Sequence, residues 1–332
     1  MARLISLVED GHPALREVMA LLAPDAGRAH VVGVTGAPGV GKSTTTNALV
    51  AAHRAAGHRV GVLAVDPSSP FSGGALLGDR IRMSDHAADP EVFIRSMASR
   101  GHLGGLSWAA PQALRVLDAA GCDVVLLETV GVGQDELDVM RVADTTLVIQ
   151  APGAGDDIQA AKAGLLECAD VFAVNKADLP GADAVAENLR AMLALGHITG
   201  SAAWSASSRG HSAASLAGAV EQQLGAEAWE VPVVPCVATR NEGLPELVAQ
   251  LEAHRSWLET SPRGRERRRR RLVEELHDRV REALVVEMLE RHRGEIDAAA
   301  AQVELGALDP YAATRALIER WLEPGAAAPA EG

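Results

Sequence analysis

At 332 residues the chain is long enough for one large α/β domain with appendages or for two domains, and at 48% hydrophobic but only 3% aromatic its core must be filled by Ala, Val and Leu. A formal net charge of -13 excludes a general nucleic-acid binder, which would carry a basic surface. No apolar run approaches the roughly 18 residues needed to span a membrane, and Glu9 and Asp10 fall where a secretory signal needs an apolar core, so no membrane partner and a cytoplasmic location are expected.

Leu4 to Leu22 has apolar spacing for one or two short helices, broken near Gly11-His12-Pro13, which predicts a helical lead-in over residues 1–28. Asp10-Gly11-His12 opens like the D-x-H-x-x-G signature of cobalamin-binding domains, but Leu15 stands in the glycine position, and a helix boundary is the better reading. Next comes an apolar strand, Val31 to Thr35, then Gly36-Ala37-Pro38-Gly39-Val40-Gly41-Lys42-Ser43, then a helix from Thr44 to Ala56. The strand and helix on either side turn G-x-x-x-x-G-K-S from a text match into a phosphate site. Its small residues let successive backbone N–H groups point into one concavity, and the helix N-terminus adds partial positive charge. Lys42 is expected at the β- and γ-phosphates, and the Ser43 hydroxyl at Mg²⁺.

A second buried strand, Arg59 to Val65, ends in Asp66, whose carboxylate at the carboxyl end of a parallel strand would face the ligand crevice. The glycine-rich stretch Gly73 to Arg80 has the composition of a switch segment. A short strand at Val92 to Arg95 and a helix from Ser107 to Ala120 follow. The most apolar strand, Val124 to Leu127, closes on Glu128-Thr129-Val130-Gly131-Val132-Gly133-Gln134. An acid closing a buried strand with Gly three positions on is the arrangement that senses a γ-phosphate: Gly131 N–H to the phosphate, the acid in the outer shell of the magnesium. Small GTPases of the Ras type have Asp at this point, whereas this chain has Glu128. Gln134 stands three positions beyond Gly131, so slow hydrolysis by the free protein is expected. Arg80, Arg95 and Arg100 are the candidates for a stimulating arginine.

Strands at Thr145 to Gln150 and Val171 to Val174 lead on, the second into Asn175-Lys176-Ala177-Asp178. In N-K-x-D the Asp178 carboxylate would accept from N1–H and the exocyclic amine of guanine. Adenine offers neither donor there, and a carboxylate left unpaired could discriminate by about 10⁴-fold or more. A final strand, Val231 to Val237, brings Ala238 and Thr239 to the place where guanine O6 is met by a backbone N–H. The Ser/Ala-rich stretch Gly196 to Gly225 reads as a loop with a modest helix. Everything from Leu244 is helical: a dense basic run, Arg263 to Arg271, as a solvated helix start or charged dimer contact, then an amphipathic helix to Leu289, and a last helix capped by Asp309-Pro310. Cys122, Cys168 and Cys236 lack C-x-x-C spacing and read as free thiols, and the eleven histidines form no spaced cluster with Cys or Asp. The expected architecture is α/β: a P-loop domain at 29–258 with a mostly parallel central sheet flanked by helices, a helical dimerisation arm at 259–322 and a disordered tail at 323–332.

Together these motifs resemble the MeaB/ArgK family of G-protein chaperones for cobalamin-dependent acyl-CoA mutases. The resemblance rests on Gly36 to Ser43, Val65-Asp66-Pro67-Ser68-Ser69, Gly73-Gly74 with Leu77-Gly78-Asp79-Arg80, Phe93-Ile94-Arg95-Ser96 and Leu103-Gly104-Gly105. Glu128 to Gln134, Pro152-Gly153 with Gly155-Asp156, Asn175 to Asp178 and Leu308-Asp309-Pro310-Tyr311 complete it. It implies a slow GTPase that binds GTP, GDP and Mg²⁺, with Lys42, Asp66, Asp79 and Glu128 acting around metal and attacking water. It also implies that Asp156 and Lys162 belong to a further switch loop beside Gln134 and that the C-terminal arm makes a homodimer. The partner is then a methylmalonyl-CoA mutase-type enzyme, and the adenosyltransferase that supplies its cofactor is a further one. Adenosylcobalamin would enter only through the mutase. The longer Ser/Ala-rich piece at Ser201 to Ser215 departs from the family pattern. Competing readings are a nickel metallochaperone GTPase, which would need a His-rich tail or Cys/His pair, a signal-recognition-type targeting GTPase, which would need a basic Met-rich domain, and a GTP-dependent kinase of an amino-acid transport system.

Overall fold

A computed structural model describes residues 1–67, 86, 88–99, 109–129, 142–153, 169–207 and 228–322, with the side chains at 66, 67, 98, 99, 195–207 and 282 outside that description. Seven strands are described: β1 (His30–Thr35), β2 (Val60–Pro67), β3 (Val92–Ser99), β4 (Val124–Thr129), β5 (Thr145–Gln150), β6 (Val171–Val174) and β7 (Val233–Pro235). They form one sheet in the order β3-β2-β4-β1-β5-β6-β7, with every pairing parallel. Strands β4, β5 and β6 are buried along their whole length, which is why they read as continuous apolar runs rather than as alternating ones.

Helices cover both faces. Val32 and Val34 of β1, with Val124 and Leu126 of β4, point to the side covered by α3 (Lys42–Ala55) and α6 (Leu244–Thr260), through Leu49, Leu247 and Leu251. The alternate residues Val125 and Leu127 point to the other side, where α1 (Ala2–Glu9) and α4 (Ala109–Ala119) supply Ile5, Val8, Leu114 and Leu117. On that side of β5 and β6, α5 (Ala182–Ser207) packs Ala186 and Leu189 against Val148 and Phe172. β1 pairs with β4 on one side and β5 on the other, so the chain reverses its winding beside β1. In an open α/β sheet the crevice beyond the strand ends at such a point is where ligands bind.

The expected α/β sheet, the flanking helices and the helical lead-in of α1 and α2 (Leu15–Leu22) are all present. Three boundaries differ. β3 runs on to Ser99, in register with β2 as far as Pro67. β7 is shorter than Val231 to Val237, and Pro232, just before it, has no N–H to extend the ladder backwards. α5 continues to Ser207 through a stretch expected to open as loop, since Ala-rich sequence favours helix even where Gly and Ser interrupt it. Residues 208–227, with the rest of the Ser/Ala-rich piece, lie outside the described residues.

The chain divides into two compact units, 1–271 and 272–332. α7 (Pro262–Arg291) begins in the first unit and runs through the boundary. Within the second, α8 (Arg293–Glu304) and α9 (Pro310–Leu322) meet through stacked His292 and Trp321, ring centroids 4.8 Å apart. Asp309 caps α9, accepting from the N–H groups of Tyr311 at 2.9 Å and Ala312 at 3.1 Å.

Candidate functional site

The loop between β1 and α3 is wedged between two neighbours that leave no room for side chains. Gly36 has φ +140°, and a Cβ there would lie 2.2 Å from the Ile149 carbonyl oxygen of β5. Gly41 has φ +97°, and a Cβ there would lie 2.3 Å from the Asn175 Nδ2. Val40 is buried, whereas Pro38 and Gly39 are exposed and Ala37 is half-buried. Lys42, the first residue of α3, turns its Nζ back over the loop and donates to the carbonyls of Gly36 at 2.5 Å and Ala37 at 3.3 Å. Ser43 Oγ donates to Glu128 Oε1 at 2.6 Å. Glu128, one residue before the end of β4, is 1% exposed, so a carboxylate is held in the sheet interior against the first turn of α3. Thr44 is exposed beside it, while Thr45 Oγ1 donates to the Gly41 carbonyl at 3.0 Å and fastens the helix start.

The Asn175-Lys176-Ala177-Asp178 motif reaches the loop from β6. Asn175 Nδ2 donates to the Val40 carbonyl at 2.9 Å, and its Oδ1 accepts from Ala238 N–H at 3.1 Å. Lys176, in the left-handed region at φ 57°, sends its Nζ to the Gly39 carbonyl at 2.8 Å. Asp178 stands at the surface with Oδ2 3.4 Å from Arg240 Nη1, and Thr239 is exposed. The loop, Glu128, Asn175 to Asp178 and Ala238 therefore converge on the carboxyl ends of β1, β4 and β6.

Asp66 lies on β2, two residues beyond the partner of Glu128 in the β2–β4 register, with its side chain outside the description. Asp79, Gly131, Gln134, Asp156 and Lys162, like Arg80 and Arg100, lie outside the described residues. Arg95 is engaged elsewhere: its guanidinium binds Glu9 Oε2 at 2.5 Å and Ser6 Oγ at 3.2 Å, tying β3 to α1. The Arg263 to Arg271 run also differs from expectation. Arg267 forms two hydrogen bonds to buried Asp170, and Arg271 pairs with buried Asp144 at 2.6 Å, so two of the arginines are anchors to this chain's own sheet. Cys122 and Cys236 are buried free thiols, both pushed up to about 11 by burial, and Cys168 is outside the described residues.

The model of a family described as methylmalonyl Co-A mutase-associated GTPase MeaB matches residues 1–293. The chain belongs to the MeaB family. A Pyrococcus abyssi protein provisionally named as a GTPase is 45% identical over 326 residues, covering 98% of this chain and 93% of its own. The GTPase ArgK of Escherichia coli is 44% identical over 182 residues, 54% of this chain and 55% of its own. Among solved structures, one described as an LAO/AO transport system kinase superposes with a TM-score of 0.64 at 27% identity, covering 97% of this chain and 92% of that one. This MeaB-family chain is a P-loop GTPase that binds GTP and GDP. Among the described residues, no helix is long and apolar enough to cross a membrane.

Proposed function

We propose that this GTPase is the chaperone of a cobalamin-dependent acyl-CoA mutase of the methylmalonyl-CoA mutase type. GTP hydrolysis gates delivery of adenosylcobalamin to the mutase and protects or reactivates it. The supporting observation is the family description itself, which names a mutase-associated GTPase over most of the chain. The cofactor belongs to the mutase, and the adenosyltransferase that loads it is a second partner. The setting is cytoplasmic.

The donors in place support the nucleotide roles. Gly36 and Gly41 take positive φ and pack too closely against β5 and Asn175 for a side chain, which supports the reading of loop 36–43 as a phosphate cradle. Lys42 exchanges its contacts with the Gly36 and Ala37 carbonyls for β- and γ-phosphate oxygens, which needs only side-chain rotation. Asp178 reads the guanine, Ala238 and Thr239 lie beside it, and Asn175 and Lys176 brace the pocket wall against the loop. The residues present fit Mg²⁺: Ser43 Oγ and the Glu128 carboxylate offer oxygen alone at a helix start, the donor type that ion prefers. Ser43 would hold it directly, with Glu128, Asp66 and Asp79 around it and the attacking water. The ion would neutralise charge on the transferring phosphate. Gly131 meets the γ-phosphate, and Gln134, Asp156 and Lys162 change contacts with nucleotide state. The arm, 259–322, makes a homodimer, for which the exposed Leu276, Val280 and Leu284 of α7 supply an apolar face.

The test is GTP turnover with and without the purified mutase. Stimulation by the mutase is expected in the natural chain, no hydrolysis in Lys42→Ala, and intact GTP affinity with most of the stimulation lost in Lys162→Ala. A turnover rate indifferent to mutase would remove the chaperone reading. The kinase reading has one observation behind it, the description of the superposed structure. γ-labelled GTP separates the two: a hydrolase releases all the label as inorganic phosphate, and a kinase leaves it on protein.

A further inference from the structure

We propose that His53, His58 and Glu252 form a binding site for one divalent transition-metal cation of the Zn²⁺ class, at the end of α3 away from the phosphate loop. The site is independent of the mutase reading above. His53 lies in the last turn of α3, and the chain then folds back, His58 N–H donating to the His53 carbonyl at 3.0 Å. That turn places two imidazoles against each other, Nδ1 to Nδ1 at 3.3 Å with ring centroids 5.6 Å apart. Glu252 arrives from α6, whose Leu247 and Leu251 share a core with Leu49 and Val50 of α3. One donor atom from each of the three residues lies within 4.8 Å of the others.

Two features of the cluster point to a ligand rather than to ordinary packing. First, tetrahedral zinc with Zn–N bonds of about 2.0–2.1 Å sets neighbouring ligand nitrogens about 3.3–3.4 Å apart, the separation His53 and His58 already have. Only the carboxylate has to close in, by rotation of a flexible side chain. Second, Glu252 Oε1 is buried and has no hydrogen-bond partner among the described residues, a cost that a bound cation would relieve. Burial, with the charges of His58 and Arg255, holds His53 neutral down to about 4, so the imidazole is ready as a ligand at neutral pH. Arg255 itself is turned to Glu259 at 3.2 Å and to the Arg28 carbonyl at 2.9 Å.

The donor chemistry selects the ion. Two imidazole nitrogens with one carboxylate suit Zn²⁺, Co²⁺ or Ni²⁺, whereas Mg²⁺ and Ca²⁺ take oxygen alone. The site is thereby chemically separate from the oxygen donors Ser43, at the start of the same helix about 15 Å away along its axis, and Glu128 of β4. Bound metal would clip the C-terminal end of α3 to α6, with water in the fourth position.

The experiment uses the full chain, loaded with GDP and excess Mg²⁺ and stripped of transition metals by a chelator. Zn²⁺ is then titrated by calorimetry, and thermal unfolding is followed with and without it. One saturable equivalent and a raised Tm are expected. His58→Ala and Glu252→Gln, both at half-buried positions, should each weaken Zn²⁺ binding at least about tenfold and cancel the rise in Tm, with GDP affinity unchanged as the measure of folding. If His58→Ala fails that control, His58→Gln replaces it. Absence of saturable binding below about 0.1 mM, or binding weakened less than tenfold by both substitutions, overturns the proposal.

Discussion

At Asn175 one amide joins two stretches that are 135 and 63 residues away in sequence, donating to the Val40 carbonyl and accepting from Ala238 N–H. Both contacts are buried, so the residue sets the spacing between the phosphate loop and the turn after β7. Asp178, three positions on, has the opposite character: half-exposed, with Arg240 at 3.4 Å as its ion partner. An exposed pair of that kind is worth about 0–1 kcal/mol. Asp178→Asn should therefore leave stability within about 1 kcal/mol of the natural chain and act on ligand binding instead. The amide presents a donor to the N1–H and amine of guanine, so GDP affinity should fall at least about tenfold, with xanthosine diphosphate partly admitted. Calorimetry with the two nucleotides decides it. Unchanged GDP affinity would show that Asp178 does not read the base.

Among the elements, α7 shows how far a charge run can be read without its partners. Asp144 and Asp170 stand just before β5 and β6, and each accepts from the backbone of the adjoining strand, Val31 N–H at 3.0 Å and Thr146 N–H at 2.8 Å. The same carboxylates then take Arg271 and Arg267, which are one helical turn apart on α7. Breaking a fully buried pair by truncation costs about 3–5 kcal/mol. With the Arg267 side chain 42% exposed, Arg267→Ala should cost less, about 2–3 kcal/mol, while Arg269→Ala at an exposed neighbouring position should stay within about 0.5 kcal/mol. Denaturant unfolding of both variants measures this, and equal effects would mean the pair adds nothing. The sequence discloses that nine-residue run but not its partners, because the pairing of Arg267 with Asp170 depends on the path of the sheet across 97 residues. The loop 36–43, the apolar strands and Glu128 were legible for the opposite reason: their conformation and burial are written in their immediate neighbours. His53, His58 and Glu252 escape any spacing rule, since α6 meets α3 only through tertiary packing. Sheet order and the continuation of α5 to Ser207 are likewise tertiary outcomes.

Across the whole molecule, two properties follow from what is buried and what is not. On α7, Leu272, Leu276, Val280 and Leu284 recur every fourth residue and are 50–60% exposed, an apolar stripe that the homodimer proposed above would bury. Leu276→Glu with Leu284→Glu should give a monomer by sedimentation at unchanged GTP affinity, and a persisting dimer would exclude this face. Stability against acid should depend on three buried histidines. Burial lowers His30 from 6.5 to about 3, and His53 and His254 to about 4, outweighing the opposite pull of Asp144 on His30 and of Asp170 on His254. His30 and His254 are joined through Thr145 Oγ1, at 2.6 and 2.8 Å, in a chain that accommodates neutral rings. Folded, all three stay neutral until the pH nears 4; unfolded, they take up protons from about 6.5 downward. Stability should therefore be level above pH 7 and fall as acid carries the solution through 6.5, each group contributing about 1.4 kcal/mol per pH unit. Carboxylates that the fold holds low, such as Asp89 beside Arg54, add their loss only below the ordinary carboxylate range and leave this window to the histidines. At pH 5.5 the three together remove about 4 kcal/mol relative to pH 7.5, a large part of the 5–15 kcal/mol typical of a domain. Denaturant unfolding at pH 7.5, 6.5 and 5.5, with chelator present so that metal does not contribute, should show a slope approaching three protons. His53→Gln should reduce that slope by one proton, and a stability that stays level from pH 7.5 to 5.5 would mean these imidazoles are not neutral and buried together.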